Sequence, residues 1–104
     1  MSIFGKRKHG QELEPPPVAL GNVDATEILR VWAVPDAAQQ LTLRTSWADP
    51  GAWGLLLVDV ARHAAQAYER EGYDANEALR RIRELFDAEW SSPTGPAEDL
   101  TDKS

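Results

Sequence analysis

The first half of the chain shows the alternation of polar and apolar residues that is typical of a β-hairpin. Residues 26–34 are rich in β-branched and aromatic side chains and end at a Pro-Asp turn signal. Residues 40–45 then alternate polar and apolar, as expected of a strand with one dry face. We therefore predict two antiparallel strands joined by a loop at 35–39. The absence of glycine in that loop disfavours a tight two-residue turn.

The two faces of the predicted hairpin are not equally clear. The second strand places Leu41 and Leu43 on one face, whereas the first strand is partly apolar on both. Because Arg30 and Trp32 share one face of the first strand, we predict that the charged face points outward. Trp32 is then left for a partner or for the N-terminal arm to cover. The face predicted to be buried carries Leu29, Val31 and Ala33.

Two helices are predicted to follow. Asp49-Pro50 is a helix start, with Asp as the N-cap and Pro at the first helical position. From residue 53 to 68 the apolar positions cover about half of the helix circumference, widened by Leu55 and Val58, which is more than the roughly 100° stripe that packs on one sheet. The first helix therefore has two surfaces to pack against.

The end of the first helix is predicted from Gly72, which suits the left-handed position of a Schellman motif with Tyr68 meeting Tyr73. Asp74 is the predicted N-cap of a second helix with a narrower apolar stripe, reaching about residue 90. So short a connection predicts an antiparallel or sharply angled helical hairpin. The element order is ββαα, which defines an α+β fold.

The ends of the chain are predicted to lie outside this fold. Residues 1–22 include three consecutive prolines and are interpreted as a flexible tail or extended arm. Residues 91–104 combine Pro, Gly and acidic residues and are interpreted as a flexible acidic tail. The single ββαα domain is thus predicted at 23–90.

A domain of this size predicts self-association. A chain of about 60 residues buries only about 60% of its unfolded surface, and a two-stranded sheet exposes both of its edges. With the wide apolar arc of the first helix, these features predict a homodimer. The two hairpins could then lie side by side in a four-stranded sheet.

Composition excludes several classes of function. The chain has 104 residues, with 11 Lys and Arg against 17 Asp and Glu, and its net charge of -6 disfavours nucleic-acid binding. It contains no cysteine, so disulfides, thiolate metal sites and a cysteine nucleophile are absent. The basic stretch at 6–8 is not followed by the apolar core of a secretory signal, and we expect a cytoplasmic protein. Ile3-Phe4 with this basic stretch supports at most weak, reversible membrane contact, and a solubilising tail is favoured.

Catalytic and metal-binding motifs are weak. Asp59 and His63 stand four residues apart, as half of a catalytic triad could, but no activated nucleophile or oxyanion loop accompanies them, and a surface ion pair is favoured. The two histidines, His9 and His63, lack metal-ligand spacing. The glycines at 51 and 54 do not match a nucleotide-binding loop. We therefore predict no catalytic residue, no cofactor and no metal.

The charged and aromatic residues give the remaining candidates for ion pairs, an interface and a pocket. The three arginines of the second helix are predicted to pair with acids on the same helix, as Glu77–Arg81, Arg80–Glu84 and Arg83–Asp87. Four tryptophans are more typical of a core or an interface than of a ligand pocket. The candidate interface residues are Arg30, Trp32, Arg44, Leu55 and Val58. The candidate pocket residues are Trp47, Trp53, Asp59 and His63.

The function predicted from these patterns is a non-enzymatic protein-interaction or regulatory module that acts as a homodimer. It would bind a second copy of itself and possess a surface for a further, unidentified protein. The alternative is a small-ligand-binding protein or weak hydrolase with a pocket near Trp47, Trp53 and His63. The pocket interpretation requires His63 and a tryptophan to converge in a concave site.

Three stretches also carry a resemblance to a known family. They are residues 27–32, residues 49–63 and the second helix at 78–82 and 86–90. In these stretches the chain resembles a small proteobacterial family known only as a domain of unknown function, over about residues 23–93. The resemblance implies a small cytoplasmic α+β protein and transfers no catalytic or binding residue.

Overall fold

The protein is described by a computed structural model that covers residues 10–94 and 97–101. A two-stranded antiparallel hairpin is followed by two long helices, which confirms the predicted α+β fold with ββαα order. The six elements are α1 (Pro17–Gly21), β1 (Leu29–Trp32), β2 (Gln40–Leu43), α2 (Gly51–Arg70), α3 (Ala75–Ser91) and β3 (Glu98–Asp99).

The strand register sets the two faces of the hairpin. Leu29 lies opposite Leu43, and Val31 lies opposite Leu41, so the four aliphatic side chains share one face as predicted. The three leucines are half-buried, whereas Val31 remains exposed. Trp32 lies on the other face, yet it is also half-buried. Neither face is therefore a fully buried core face.

Two short elements occur in segments for which the sequence predicted no secondary structure. Helix α1 begins at the last of the three prolines, where the missing amide proton costs nothing. Strand β3 pairs in parallel with β2 and extends the sheet to the order β1-β2-β3. Next to it, the Leu100 amide donates to the Leu41 carbonyl at 3.0 Å. The Leu43 amide donates to Oγ1 of Thr101 at 3.1 Å. The edge of β2 is thus occupied by a later part of the same chain.

The beginning and end of α2 follow the sequence closely. Helix α2 begins at Gly51, one residue later than predicted, with Pro50 in helical geometry before it (φ -58°, ψ -21°). The Asp49 carboxylate accepts the Gly51 amide proton at 2.8 Å, the interaction expected of the predicted cap. At the other end Gly72 adopts a φ of 100°, and its amide bonds the carbonyl of Glu69. The Tyr73 amide bonds the Tyr68 carbonyl at 3.1 Å, completing the predicted Schellman motif, and the two tyrosine rings meet edge to face.

The two long helices pack against each other but enclose little. The Asp74 carboxylate accepts the Glu77 amide proton at 3.0 Å, so α3 starts at its predicted cap. The small side chain of Ala65, on α2, is 3% exposed. It is the one hydrophobic residue in the described part of the chain that is fully buried. The rest of the apolar surface of both helices is partly or largely open.

The helices were compared with the length and apolarity that a membrane-spanning helix needs. None of the helices within residues 10–94 and 97–101 is both long enough and apolar enough to cross a bilayer.

We expect Gly72→Ala to lower the free energy of unfolding by about 1 kcal/mol, because alanine is disfavoured at positive φ. Urea denaturation followed by circular dichroism at one fixed protein concentration measures the change. The control is Glu71→Ala at the neighbouring exposed position, where φ is -93° and we expect a change within about 0.5 kcal/mol. Equal effects of the two substitutions would contradict the structural role assigned to Gly72.

Candidate interaction surface

An open groove runs between α2 and α3. Its volume is about 800 Å³, and its lining is mostly apolar. The large apolar side chains that line it are Trp53, Leu57, Val58, Leu79, Ile82, Phe86 and Trp90. The groove exists because α2 is apolar over a wider arc than α3 alone can cover.

The side chains at one end of this groove are unusually open for their size. Trp90 is 77% exposed and stacks on Phe86 with ring centroids 5.7 Å apart. On the facing helix Val58 is 51% exposed, and Leu55, one turn before it, is 73% exposed. Large apolar patches on soluble proteins commonly mark interaction sites. We refer to Leu55, Leu57, Val58, Phe86 and Trp90 as the apolar patch.

Three charged residues line the groove. Arg83 pairs with Asp87 through a contact of 2.9 Å between Nε and Oδ1, as predicted. Arg62 lies on α2, is exposed, and forms no ion pair with any other described residue. The charged lining of the groove is therefore net positive by one, on a chain whose net charge is -6.

The remaining arginines of α3 are paired along the helix. Arg80 contacts Glu84 at 3.6 Å, as predicted, and also Glu77 at 3.2 Å. Arg81 pairs with Glu84 instead of Glu77, so that predicted pair is wrong in its partner. The hydrogen bond and charge of Arg81 lower the pKa of the Glu84 carboxyl, and the charge of Arg80 adds to the effect. This face is internally paired and offers no basic patch.

Two of the candidate interface residues, Arg30 and Arg44, lie on the hairpin. Both line a second cavity of about 470 Å³. The Arg30 guanidinium contacts Glu27 at 3.1 Å and Glu12 of the N-terminal arm at 2.5 Å. The hydrogen bond and charge of Glu27 raise the pKa of Arg30. Nε of Arg44 donates to the Glu27 carbonyl at 3.2 Å. The outer face of the hairpin is thus partly engaged by the chain itself.

The other three candidate interface residues, Leu55, Val58 and Trp32, do not line the hairpin cavity. Val58 lines the groove, and Leu55 extends it by one helical turn. Trp32 lines neither cavity and is half-buried on the hairpin. The five candidate residues therefore fall into a hairpin group and a helix group.

The candidate pocket residues are only partly brought together. Trp47 and Trp53 meet edge to face with ring centroids 5.9 Å apart. Nε1 of Trp53 donates to the Thr45 carbonyl at 2.9 Å, which ties the end of the hairpin to the start of α2. His63 instead donates from Nδ1 to the backbone carbonyl of Asp59 at 2.7 Å, and the two side chains form no ion pair. Of these four residues, Trp53 alone lines the groove.

Phe86, Trp90 and Arg62 belong to the groove but were not predicted as site residues. The sequence signal for the two aromatic residues was present as part of the apolar stripe of α3, and it indicated a core. Such a stripe has the same pattern whether the chain itself or another molecule covers it. Among the described residues, no three histidine or acidic side chains gather as metal ligands do.

Together these features define a small α+β domain with a helical groove open to solvent. The chain belongs to the family described as Domain of unknown function (DUF5076), whose model matches residues 12–94. This confirms the resemblance found in the sequence. No curated protein matches the chain.

A solved structure gives an independent view of the fold. It comes from the photosynthetic bacterium Rhodopseudomonas palustrus CGA009 and is described as "a putative pyruvate dehydrogenase". It is 46% identical to this chain, covers 86% of it and 94% of its own length, and aligns with a TM-score of 0.69. The two chains are thus similar in sequence and in fold over most of their lengths.

We expect Trp53→Phe to lower the free energy of unfolding by about 1 kcal/mol, because it removes the donor to the Thr45 carbonyl and leaves a ring in place. Urea denaturation measures the change. Trp47→Phe is the control, since it keeps an aromatic ring on the other side of the same contact without removing that hydrogen bond. An equal or larger loss in the control would show that ring packing, and not the hydrogen bond, joins hairpin and helix.

We expect nuclear magnetic resonance titration to give Glu84 a pKa below its ordinary value of 4.5. Because folding lowers this pKa, the stabilisation is complete above the unfolded pKa and is lost as the pH falls through the folded value. Arg81→Gln should move the pKa back up, whereas Arg70→Gln, on α2, should not. An unchanged Glu84 pKa in Arg81→Gln would refute the assigned cause.

Proposed function

We propose that the protein is a non-enzymatic protein-interaction module that acts as a homodimer, with a regulatory role through what it binds. We place it in the cytoplasm, a reducing compartment with which a chain free of cysteine is compatible. The observation that carries the proposal is the apolar patch on the groove between α2 and α3.

The single chain buries little apolar surface for its length. Removing apolar surface from water contributes about 25 cal/mol per Å², and folding must offset about 1 kcal/mol or more of backbone entropy per ordered residue. Yet the described part of this chain fully buries one small hydrophobic side chain, Ala65. A second molecule on the open helical surface would supply burial that the single chain lacks.

The alternative of a ligand pocket or hydrolytic site has weaker support. It requires His63 to face a concave site together with tryptophan. His63 bonds a backbone carbonyl of its own helix, and neither it nor Asp59 lines the groove. The groove itself has a volume within the range of small-ligand sites, but the ionisable side chains that line it are Arg62, Arg83 and Asp87, and the last two are paired with each other.

The name attached to the Rhodopseudomonas structure suggests a further possibility, oxidation of a 2-oxoacid. That chemistry is carried by a cofactor, and the protein must bind and orient it with convergent polar groups. In the groove of this chain the ionisable side chains are Arg62, Arg83 and Asp87, and no histidine or unpaired acid accompanies them. The site therefore favours binding over catalysis, and we transfer only the fold from that structure.

We expect the full chain to form a dimer at micromolar concentration. Size-exclusion chromatography with light scattering should give twice the mass of one chain, and dilution should lower the measured mass as the dimer dissociates. The physical reason is the apolar area that a lone chain would expose. A mass of one chain throughout the micromolar range would refute the proposed homodimer.

A further inference from the structure

We infer that the second copy docks on the groove between α2 and α3, so that two helical hairpins form a four-helix bundle. This inference rests on the proposed homodimer and names its interface. It replaces the sheet-to-sheet dimer expected from the sequence with a helical one.

The exposed area fits a dimer interface. From their exposed fractions, the five residues of the apolar patch leave roughly 500 Å² of apolar surface per chain. Homodimer interfaces are about two-thirds apolar, which implies roughly 800 Å² per chain with the surrounding polar rim. That value is the usual contribution of each partner to a stable interface, about 800 Å². A groove between two helices is also the surface on which a second helical hairpin packs well.

The charges favour a second copy as the occupant. Two chains of net charge -6 repel each other unless the contact surface is less acidic than the rest. The charged lining of the groove is Arg62, Arg83 and Asp87, which is net positive. Because the second copy presents the same groove, two nearly neutral surfaces meet, and the acidic remainder of each chain lies away from the contact.

The competing occupants fit less well. Strand β3 already pairs with the β2 edge, so two hairpins could pair only through short edges, the four-residue β1 or the two-residue β3. Residues 1–9 of the same chain offer few large apolar side chains, chiefly Ile3 and Phe4, which is too little to cover the apolar patch. That segment is also basic, so a groove with net positive lining attracts it less than it attracts an acidic chain.

The test compares Val58→Asp with Val60→Asp in the full chain. The two valines are on the same helix and are 51% and 49% exposed, but Val58 lines the groove whereas Val60 does not. They project about 200° apart around α2. We expect Val58→Asp to raise the dimer dissociation constant at least ~10-fold, because it places an unpaired charge in the interface. Val60→Asp should change it by less than ~3-fold. Circular dichroism checks that both variants remain helical.

A second pair of variants tests the charge argument without altering the apolar patch. Arg62→Glu and Arg70→Glu change the net charge equally, but Arg62 lines the groove and Arg70 lies at the end of α2. We expect Arg62→Glu to weaken the dimer several-fold more than Arg70→Glu, and the difference to shrink at high salt. This pair keeps the inference testable if Val58→Asp fails to fold.

The outcomes separate the two proposals. A wild-type chain that is monomeric overturns both the homodimer and its interface. A wild-type dimer that survives Val58→Asp and Arg62→Glu overturns the groove interface alone. Dissociation by Val31→Asp, on the exposed apolar face of the hairpin, with no effect of Val58→Asp would assign the dimer to the sheet instead.

Discussion

The structure depends on an imbalance between the apolar arc of α2 and what the chain offers to cover it. The helix is apolar over about half of its circumference, and α3 packs against only part of that arc. Ala65 of α2, a small side chain, is buried to 3% exposure. Larger residues to either side stay open. A groove lined by aromatic and aliphatic side chains is the direct result.

The hairpin does not remove this imbalance. It is tied to α2 at one end, by the Trp53 hydrogen bond to Thr45 and the contact of that ring with Trp47. Its outer face is engaged by the arm through Glu12, and its β2 edge by β3. The parts of the chain outside the helices thus contact one another, while the helical groove stays open.

Local signals in the sequence predicted most of the fold. Asp49, Gly72 and Asp74 each act over a few residues, so their hydrogen bonds follow from residue type and spacing alone. Strand β3 could not be predicted in this way, because a two-residue strand depends on a distant edge and not on its own composition. The ion pair expected between Asp59 and His63 failed for a related reason. Spacing brings two side chains near each other, but it does not decide whether the imidazole prefers a nearby carbonyl.

The candidate site was predictable only in part. The wide arc of α2 indicated a second packing surface and named Leu55 and Val58, but the contribution of Phe86 and Trp90 needed the relative placement of two helices. From the sequence, Trp32 was the tryptophan predicted to lie on an exposed interface. In the structure Trp90, at the C-terminal end of α3, is far more exposed, at 77%.

The central claim is that a second copy covers this surface, and Trp90 reports on it most directly. Hydroxyl-radical footprinting of the full wild-type chain at low and high concentration measures how accessible each tryptophan is to solvent. The account predicts that oxidation of Trp90 falls as the chain concentration rises, while oxidation of Trp47, outside the groove, stays constant. Trp90 oxidation that is independent of concentration in a sample shown to dimerise would contradict it.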